Sequence, residues 1–271
     1  MRYLILLLTA FTALNAQEPP ASAGDDTRGY NDTPQIIGQK WRVHDMARPR
    51  PAKVVPGALP ASPAAPPSDA IVLFDGKDLS QWKSEGPHGE TQEPRWKLGQ
   101  GYFEITPDSG RLVTRQSFGD CQLHVEWMIP ESVTGKGQGR GNSGVELMTR
   151  YEIQVLETNR NLTYADGGAG AIYGVWPPLV NPQRPQGQWN VYDIFFEAPV
   201  FDGAKVVKRA TVTVVFNGVL VQNHKEFLGQ TTWRANGVYT PHPALQPLSL
   251  QDHHQFVRYR NIWIRNLKEQ N

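Results

Sequence analysis

No stretch of this sequence repeats apolar residues at the 3.6-residue interval of an amphipathic helix, whereas several short stretches alternate apolar and polar residues. In the clearest of them, Leu123, Val125, Trp127 and Ile129 share one face of an extended strand. His124 falls on the other face, where we expect it to meet solvent or a residue of a neighbouring strand. The 25 glycines and 22 prolines supply many turns. The pattern predicts an all-β protein, a two-sheet antiparallel jelly-roll sandwich in which one curved sheet lines a groove.

Two hairpins are indicated by their turn residues. Asn217-Gly218 separates two apolar runs, and both residues tolerate positive φ. The run Gly99-Gln100-Gly101 separates two further runs in the same way. The remaining strand candidates are 71–74, 145–157, 190–198, 210–216, 219–222 and 256–267.

The chain divides into three segments by composition. Residues 1–16 combine an early arginine, an apolar run too short to span a membrane and a small residue at the end, which is typical of a cleaved export signal. Residues 17–69 are rich in proline and form an extended arm and linker, in which 34–57 either lie ordered across the domain or act as a tether. Residues 70–271 carry the strand patterns and form the predicted catalytic β-sandwich domain.

Charge and cysteine content narrow the classes of function. A formal net charge of +1 argues against a general nucleic-acid binder, which needs a basic face. Cys121 is the only cysteine, so the chain can form no intrachain disulfide. No later stretch approaches the roughly 20 apolar residues of a membrane-spanning helix. We therefore expect a periplasmic or secreted protein without a membrane span.

The most informative run of the domain carries two acids and an amide. In an extended strand Glu152 and Gln154 share a face, whereas Glu157 joins them only if a one-residue bulge interrupts the strand. The spacing resembles the catalytic strand of laminarinase-type glucanases, with an amide in place of the middle acid. The alternative is that these acids form ion pairs with Arg140 and Arg150.

A second candidate group precedes the last predicted strand, where Asp252 is followed by His253 and His254. Histidine titrates near neutral pH and can take or give a proton. Asp252 could orient the imidazole of His253, and the alternatives are a surface histidine pair or a metal site. Adjacent residues of an extended chain do not chelate well, so we predict no metal ligands.

Aromatic and amide residues form a third candidate group. Tyr173 and Trp189 offer rings that can stack on sugars, and Asn190 offers an amide for sugar hydroxyls. Each residue taken alone is equally typical of packing. The combination of strands, acids, amides and aromatics favours a carbohydrate-active protein.

As an ordered set, these motifs are similar to those of the 3-keto-disaccharide hydrolase domain family. The resemblance covers about residues 70–268, and the arm around 41–51 resembles an extension found in part of that family. The opening motif is Leu73-Phe74-Asp75-Gly76-Lys77 with Leu79 and Trp82. The later motifs are 141–145, 151–156, 170–174, 189–190, 215–219, 250–253 and 260–263.

The resemblance implies a concanavalin A-like jelly roll that acts on glycosides oxidised to a ketone at the third sugar carbon. The implied reaction is removal of a proton next to the ketone, elimination of the anomeric substituent and hydration of the product, which amounts to hydrolysis. Glu152 and His253 would share the base and acid roles. No cofactor is expected, although a structural calcium is compatible with the sequence.

The expected partner is an oligosaccharide or glycoside substrate. Gln154, Asn142 and Arg260 would orient hydroxyls or stabilise the enolate, and Gln154 could donate to its oxygen. Tyr173 and Trp189 would shape the groove. The other substrate-binding candidates are Ser143, Glu146, Arg150 and Asn190. Glu146 and Met148 depart from the aromatic and the arginine or glutamine expected after Val145, which bears on substrate choice.

Three rival functions fit the same sequence. A non-catalytic carbohydrate-binding module would need the aromatics and amides but no carboxylate–histidine pair. A conventional retaining glycoside hydrolase would use Glu152 and Glu157 on unoxidised sugars. A structural cell-surface module would explain the proline-rich arm. The oligomeric state stays open.

Overall fold

The computed structural model describes residues 27–60, 62–63, 65–86 and 88–267. The predicted export signal and the first residues of the arm, 17–26, lie outside the described residues. Two short 3-10 turns occur at Gly137–Gly139 and Ala165–Gly167. The strands are β1 (Ile71–Phe74), β2 (Trp82–Glu85), β3 (Thr91–Gln92), β4 (Lys97–Leu98), β5 (Phe103–Glu104), β6 (Arg111–Phe118), β7 (Cys121–Met128), β8 (Ser143–Leu147), β9 (Tyr151–Val155), β10 (Asn190–Glu197), β11 (Val200–Asp202), β12 (Lys205–Lys208), β13 (Thr211–Phe216), β14 (Val219–Glu226), β15 (Gln246–Leu250) and β16 (Arg258–Asn266).

Two antiparallel sheets face each other. One has the order β14-β13-β10-β7-β16-β5-β4, with β1 also paired to β16, and the other has the order β3-β2-β6-β15-β8-β9. Strands β11 and β12 form a separate hairpin. Strands far apart in the chain are neighbours in both sheets, as in a jelly roll, and the predicted fold class is confirmed.

Period-two alternation explains the core between the sheets. Leu123, Val125 and Trp127 of β7 point inward from the eight-stranded sheet. Ile153 and Val155 of β9 point inward from the six-stranded sheet and belong to the same core cluster. Each such side chain contributes on the order of 2 kcal/mol when fully buried. The burial of these faces leaves the alternate residues of each strand on the outer faces of the sandwich.

The turn chemistry agrees with the sequence. Asn217 and Gly218 have φ of 52° and 80° and join β13 to β14, which confirms the predicted hairpin. The hairpin of β4 and β5 around Gly99–Gly101 is also confirmed. Residues 148–150 join β8 to β9, so the strand candidate 145–157 consists of two paired strand runs with almost no loop between them.

On the outer face of the eight-stranded sheet His124 lies in an ion-pair cluster. It is the cross-strand partner of Asp193, and its Nδ1 lies 2.6 Å from Asp193 Oδ1. Its Nε2 lies 3.6 Å from Glu126 Oε1, and its ring stacks on Trp263 with centroids 4.9 Å apart. Burial alone would lower the pKa of His124, but hydrogen bonds to Asp193 and Glu126 outweigh it and raise that pKa to about 9. The prediction of a cross-strand partner for His124 is confirmed.

The described part of the arm lies against loops of the domain. His44 donates its backbone N–H to Asp166 at 3.0 Å, and its Nδ1 lies 3.1 Å from the same carboxylate. Both side chains are fully buried, and Arg48 lies 3.9 Å from Asp166. Further along, Val54 donates to the carbonyl of Asn181 at 3.0 Å. Of the two readings of 34–57, the ordered arm is the one that the structure shows.

A search of the described residues for a helix long and apolar enough to cross a membrane finds none.

Candidate active site

The outer face of the six-stranded sheet is polar at β8 and β9. Because Tyr151, Ile153 and Val155 point inward, Glu152 and Gln154 point outward. Across the ladder Gly144 pairs with Gln154, and Glu146 pairs with Glu152. Directly opposed Cβ atoms in such a ladder lie roughly 5 Å apart. The face therefore presents two carboxylates and an amide side by side.

Gly144 makes room for the carboxylate of Glu152. A Cβ built on Gly144 would lie 2.5 Å from Glu152 Oε1 and 2.9 Å from its Cδ. The Glu152 side chain thus lies over Gly144 of β8. The residue itself is only 5% exposed, so its charge is held away from bulk water.

Glu146 is tied to its neighbours on the same face. Its Oε2 accepts a 2.5 Å hydrogen bond from Ser249 and lies 3.3 Å from Arg111 Nη1. Arg111 also donates to Glu85 at 2.5 Å. Burial alone would lower the pKa of Arg111, but the attraction of Glu146 and Glu85 outweighs it and raises that pKa. Arg111 and Ser249 are site-face residues that sequence reasoning missed, because the sequence did not show that β6 and β15 lie beside β8.

The segment that carries His253 leaves β15 next to Gly144. Gln251 donates its backbone N–H to the carbonyl of Gly144 at 3.0 Å, and His253 follows two residues later. Asp252 accepts from the backbone N–H groups of Ser109, Gly110 and His254 at 3.0–3.1 Å. Burial raises the pKa of Asp252. These three contacts show that Asp252 anchors the loop, whereas the sequence suggested that it orients the imidazole of His253.

Three buried amides meet beside Glu152. Gln138 Nε2 donates to the carbonyl of Gly167 at 3.0 Å and to Thr163 Oγ1 at 2.7 Å. Gln138 Oε1 accepts from Gln154 Nε2 at 2.9 Å and from Asn142 Nδ2 at 3.5 Å. The amide N–H groups of Gln154 therefore bond within the protein, and the expectation that Gln154 donates to an enolate oxygen is wrong in this geometry.

Gln138 is a further residue that sequence reasoning missed. It lies in the glycine-rich run before β8, which drew attention for its glycines alone.

Glu157 does not join this group. The regular pairing of β8 with β9 ends at Ser143↔Val155, two residues before Glu157, so Glu157 lies outside the ladder. Glu157 Oε1 accepts from the backbone N–H groups of residues 159 and 160 at 2.9 and 3.0 Å, and its Oε2 lies 3.6 Å from Arg140. The alternative reading of Glu157 as an ion-pair partner is the one that the structure shows.

Ser143 lies on the inner face of β8. Its hydroxyl donates to the carbonyl of Gln251 at 2.7 Å and accepts from Tyr259 at 2.7 Å. The residue is fully buried between the sheets. The prediction that Ser143 contacts substrate is therefore wrong. Consecutive residues of β8 point to opposite faces of the sheet, so Ser143 points to the inner face and Gly144 to the outer face.

Arg260 and Asn190 lie on the eight-stranded sheet, and Trp189 directly precedes its strand β10. Arg260 donates to Glu126 at 2.6 Å and covers the ring of Trp189 at 4.2 Å. Asn190 is buried and accepts from the backbone of Arg184 and from Asn217. Their predicted convergence with Glu152 is wrong, because β10 and β16 belong to the other sheet.

Tyr173 and Arg150 lie at the margin of the site. The backbone N–H of Tyr173 donates to the carbonyl of Glu152 at 3.4 Å, but the Tyr173 ring is buried under the arm and its hydroxyl lies 2.8 Å from that of Tyr164. Arg150 donates to Gln230 at 2.9 Å. Tyr173 thus supports Glu152 through the backbone and does not line an open groove with its ring.

Among the described residues, no three or more His, Cys, Asp or Glu side chains are grouped so that they could hold a metal ion.

Comparison with known proteins gives four findings. Residues 69–265 match the family model of the 3-keto-alpha-glucoside-1,2-lyase-like domain. Among curated proteins none matches this chain. A crystal structure assigned to a glycosyl hydrolase from Parabacteroides distasonis ATCC 8503 is 42% identical, covers 85% of this chain and 99% of that chain, and superposes with a TM-score of 0.73. A second glycosyl hydrolase structure from the same organism is 21% identical, covers 74% of this chain and 94% of that chain with a TM-score of 0.53, and shows the shared fold.

Proposed function

Because this chain belongs to the 3-keto-alpha-glucoside-1,2-lyase-like domain family, we propose that it is a carbohydrate-active enzyme that cleaves 3-keto-glycosides. The reaction removes the proton on the carbon between the ketone and the anomeric carbon. The resulting enolate expels the anomeric substituent as an alcohol, and water then adds to the double bond. The sum of these steps is hydrolysis of the glycosidic bond.

The proposed roles of the side chains follow from the site face. Glu152 and His253 supply the base that takes the proton and the acid that protonates the leaving oxygen. Arg111 carries a positive charge on the same face and would stabilise negative charge on the substrate. This route requires no carboxylate nucleophile. The reaction is therefore compatible with a Glu157 carboxylate that is hydrogen-bonded within its own loop.

The observation that carries the proposal is the position of the Glu152 carboxylate. It lies over Gly144, and the backbone of Gly144 bonds to Gln251, two residues before His253. The strand under the carboxylate is thus bonded directly to the segment that carries the imidazole, which supports the proposal of a shared site. A proton can pass between such groups only when they share one site.

The decisive experiment compares Glu152→Gln with Glu157→Gln, two buried glutamates of one segment. We expect Glu152→Gln to lower turnover of a 3-keto-disaccharide at least about 10²-fold, the usual scale for one acid–base group. Glu157→Gln loses an ion pair with Arg140 and should lower the melting temperature while the folded enzyme keeps turnover within a few-fold. Near-normal turnover of Glu152→Gln would refute the assigned role of Glu152.

A conventional glycoside hydrolase is the second candidate, because Glu146 and Glu152 are cross-strand partners. Retaining enzymes use two carboxylates roughly 5 Å apart, and this pair supplies two carboxylates on one face of the sheet. Assays on matched unoxidised and 3-keto-glycosides separate the two reactions. Cleavage of the unoxidised series would favour the conventional hydrolase, whereas binding without cleavage of either series would favour a carbohydrate-binding module.

We also propose that the enzyme acts outside the cytoplasm. The support is the basic start, apolar run and small-residue end of residues 1–16. Expression of the full chain followed by N-terminal sequencing should give a mature protein that begins at Gln17. A retained Met1 would refute export by this segment.

A further inference from the structure

The orientation of the three buried amides is fixed by a backbone carbonyl. The carbonyl of Gly167 can only accept, so the side-chain atom of Gln138 that lies 3.0 Å from it must be the NH₂ nitrogen. Gln138 Oε1 then points the other way. The groups that meet this oxygen must donate, which fixes Gln154 and Asn142 with their nitrogens toward Gln138.

This arrangement leaves two acceptors without protein partners. Asn142 Oδ1 and Gln154 Oε1 have no hydrogen-bond partner among the described residues, and Asn142 and Gln154 are 3% and 1% exposed. Buried polar groups are nearly always paired, so each exception calls for an explanation, such as a catalytic role or a bound water or ion. Gln154 lies next to Glu152 on β9, on the same outward face.

We propose that Asn142 Oδ1 and Gln154 Oε1 form a subsite that accepts hydrogen bonds from two hydroxyls of the sugar substrate, with Gln138 as the residue that orients both amides. This inference rests on the proposed function. A ketone oxygen has no hydrogen to donate, so it cannot satisfy either amide oxygen. The ring must therefore bind with hydroxyls toward the amides and with its ketone turned away from them.

The test is a double-mutant cycle between protein and ligand, measured by calorimetry on the full chain. The ligands are an intact disaccharide and its monodeoxy analogues, so the readout does not require turnover. The variants are Asn142→Leu, which removes the acceptor, and Asn142→Asp, which keeps an acceptor oxygen but replaces the donor that faces Gln138 Oε1 at 3.5 Å with a carboxyl oxygen. We expect one deoxy analogue to bind the wild type about tenfold more weakly, as for one lost hydrogen bond.

The cycle has a defined expected outcome. Asn142→Leu should bind the intact sugar about tenfold more weakly and no longer discriminate against that analogue, whereas Asn142→Asp should keep the discrimination. Gln154→Met should behave in the same way toward a second analogue. If Asn142→Leu and Gln154→Met discriminate against the deoxy analogues as the wild type does, the two amide oxygens bind only trapped water or serve packing, and the subsite is refuted.

The outcome also separates the subsite from the proposed reaction. A wild type that discriminates among deoxy analogues but does not turn over any 3-keto-glycoside would keep the subsite and refute the reaction. Turnover of a 3-keto-glycoside by an enzyme in which neither Asn142 nor Gln154 affects discrimination would keep the reaction and refute the subsite. A merely structural role would lower the melting temperature and weaken all analogues equally.

Discussion

At the scale of single residues, Gly144 sets the position of the Glu152 carboxylate. An added methyl group at this position would lie 2.5 Å from Glu152 Oε1, so Gly144→Ala must displace the carboxylate. We expect turnover of a 3-keto-glycoside to fall about 10²-fold, since a misplacement near 1 Å can cost that much. The free energy of unfolding should fall by only about 1 kcal/mol, as for modest overpacking.

A matched control for this prediction exists in the same glycine-rich run. A Cβ on Gly139 would meet no atom within 4 Å, so Gly139→Ala should leave turnover unchanged. Steady-state kinetics and urea unfolding of the two variants make the comparison. Turnover of Gly144→Ala within twofold of wild type would show that the place of the Glu152 carboxylate does not matter to the reaction.

At the scale of strands, β7, β10 and β16 share a pH-dependent ion-pair cluster. His124 of β7 contacts Asp193 of β10, Glu126 of its own strand, and Asn261 and Trp263 of β16. Arg260 of β16 completes the cluster through its ion pair with Glu126. The pKa of His124 is raised to about 9 from 6.5, so protonation favours the folded state. This stability is fully present below pH 6.5 and is lost as the pH rises through 9.

The size of the shift sets the expected effect on the free energy of unfolding. Urea unfolding should show a loss of about 3 kcal/mol between pH 6.5 and pH 9.5 that His124→Gln removes. His224→Gln is the control, because His224 is exposed and lies 4.0 Å from Glu197. An unchanged pH slope in His124→Gln would contradict the stabilising role of the protonated imidazole.

Some properties of the strands could be predicted from the sequence and others could not. The inward face of β7 could be predicted from the alternation of its residues, and the hairpin could be predicted from Asn217-Gly218. Both predictions depend only on residues that are neighbours in the sequence. The sheet that a strand joins, by contrast, depends on pairing with strands that are distant in the sequence. Arg260 and Trp189 therefore carried no sign that they lie on the sheet opposite Glu152.

Side-chain orientation within the site was also beyond sequence reasoning. The pairing of Glu152 with Gln154 on one face followed from parity alone. The direction of the Gln154 amide depends on the carbonyl of Gly167, which reaches it through Gln138 from another loop.

At the scale of the whole molecule, the arm and the sandwich are joined by a buried ion pair that also supports the site. Asp166 contacts His44 and Arg48 of the arm, and the carbonyl of the next residue, Gly167, orients Gln138. Removing the Asp166 carboxylate leaves His44 and Arg48 buried without their acidic partner. Asp166→Ala should therefore lower the free energy of unfolding by about 3 kcal/mol. Asp32→Ala breaks only the exposed contact with Arg234 and should cost less than about 1 kcal/mol.

The two aspartate variants also separate local release of the arm from global unfolding. Lys40 and Arg42 are exposed, but trypsin cleaves efficiently after them only when the backbone of the arm opens locally. In the wild type and in Asp32→Ala we expect this cleavage to follow the loss of strand signal in circular dichroism. In Asp166→Ala cleavage should begin well below the melting temperature, because the arm detaches first and turnover falls with it. If the arm of Asp166→Ala stays protected until the sandwich melts, contacts such as that of Val54 with Asn181 hold the arm, and the buried pair is not its anchor.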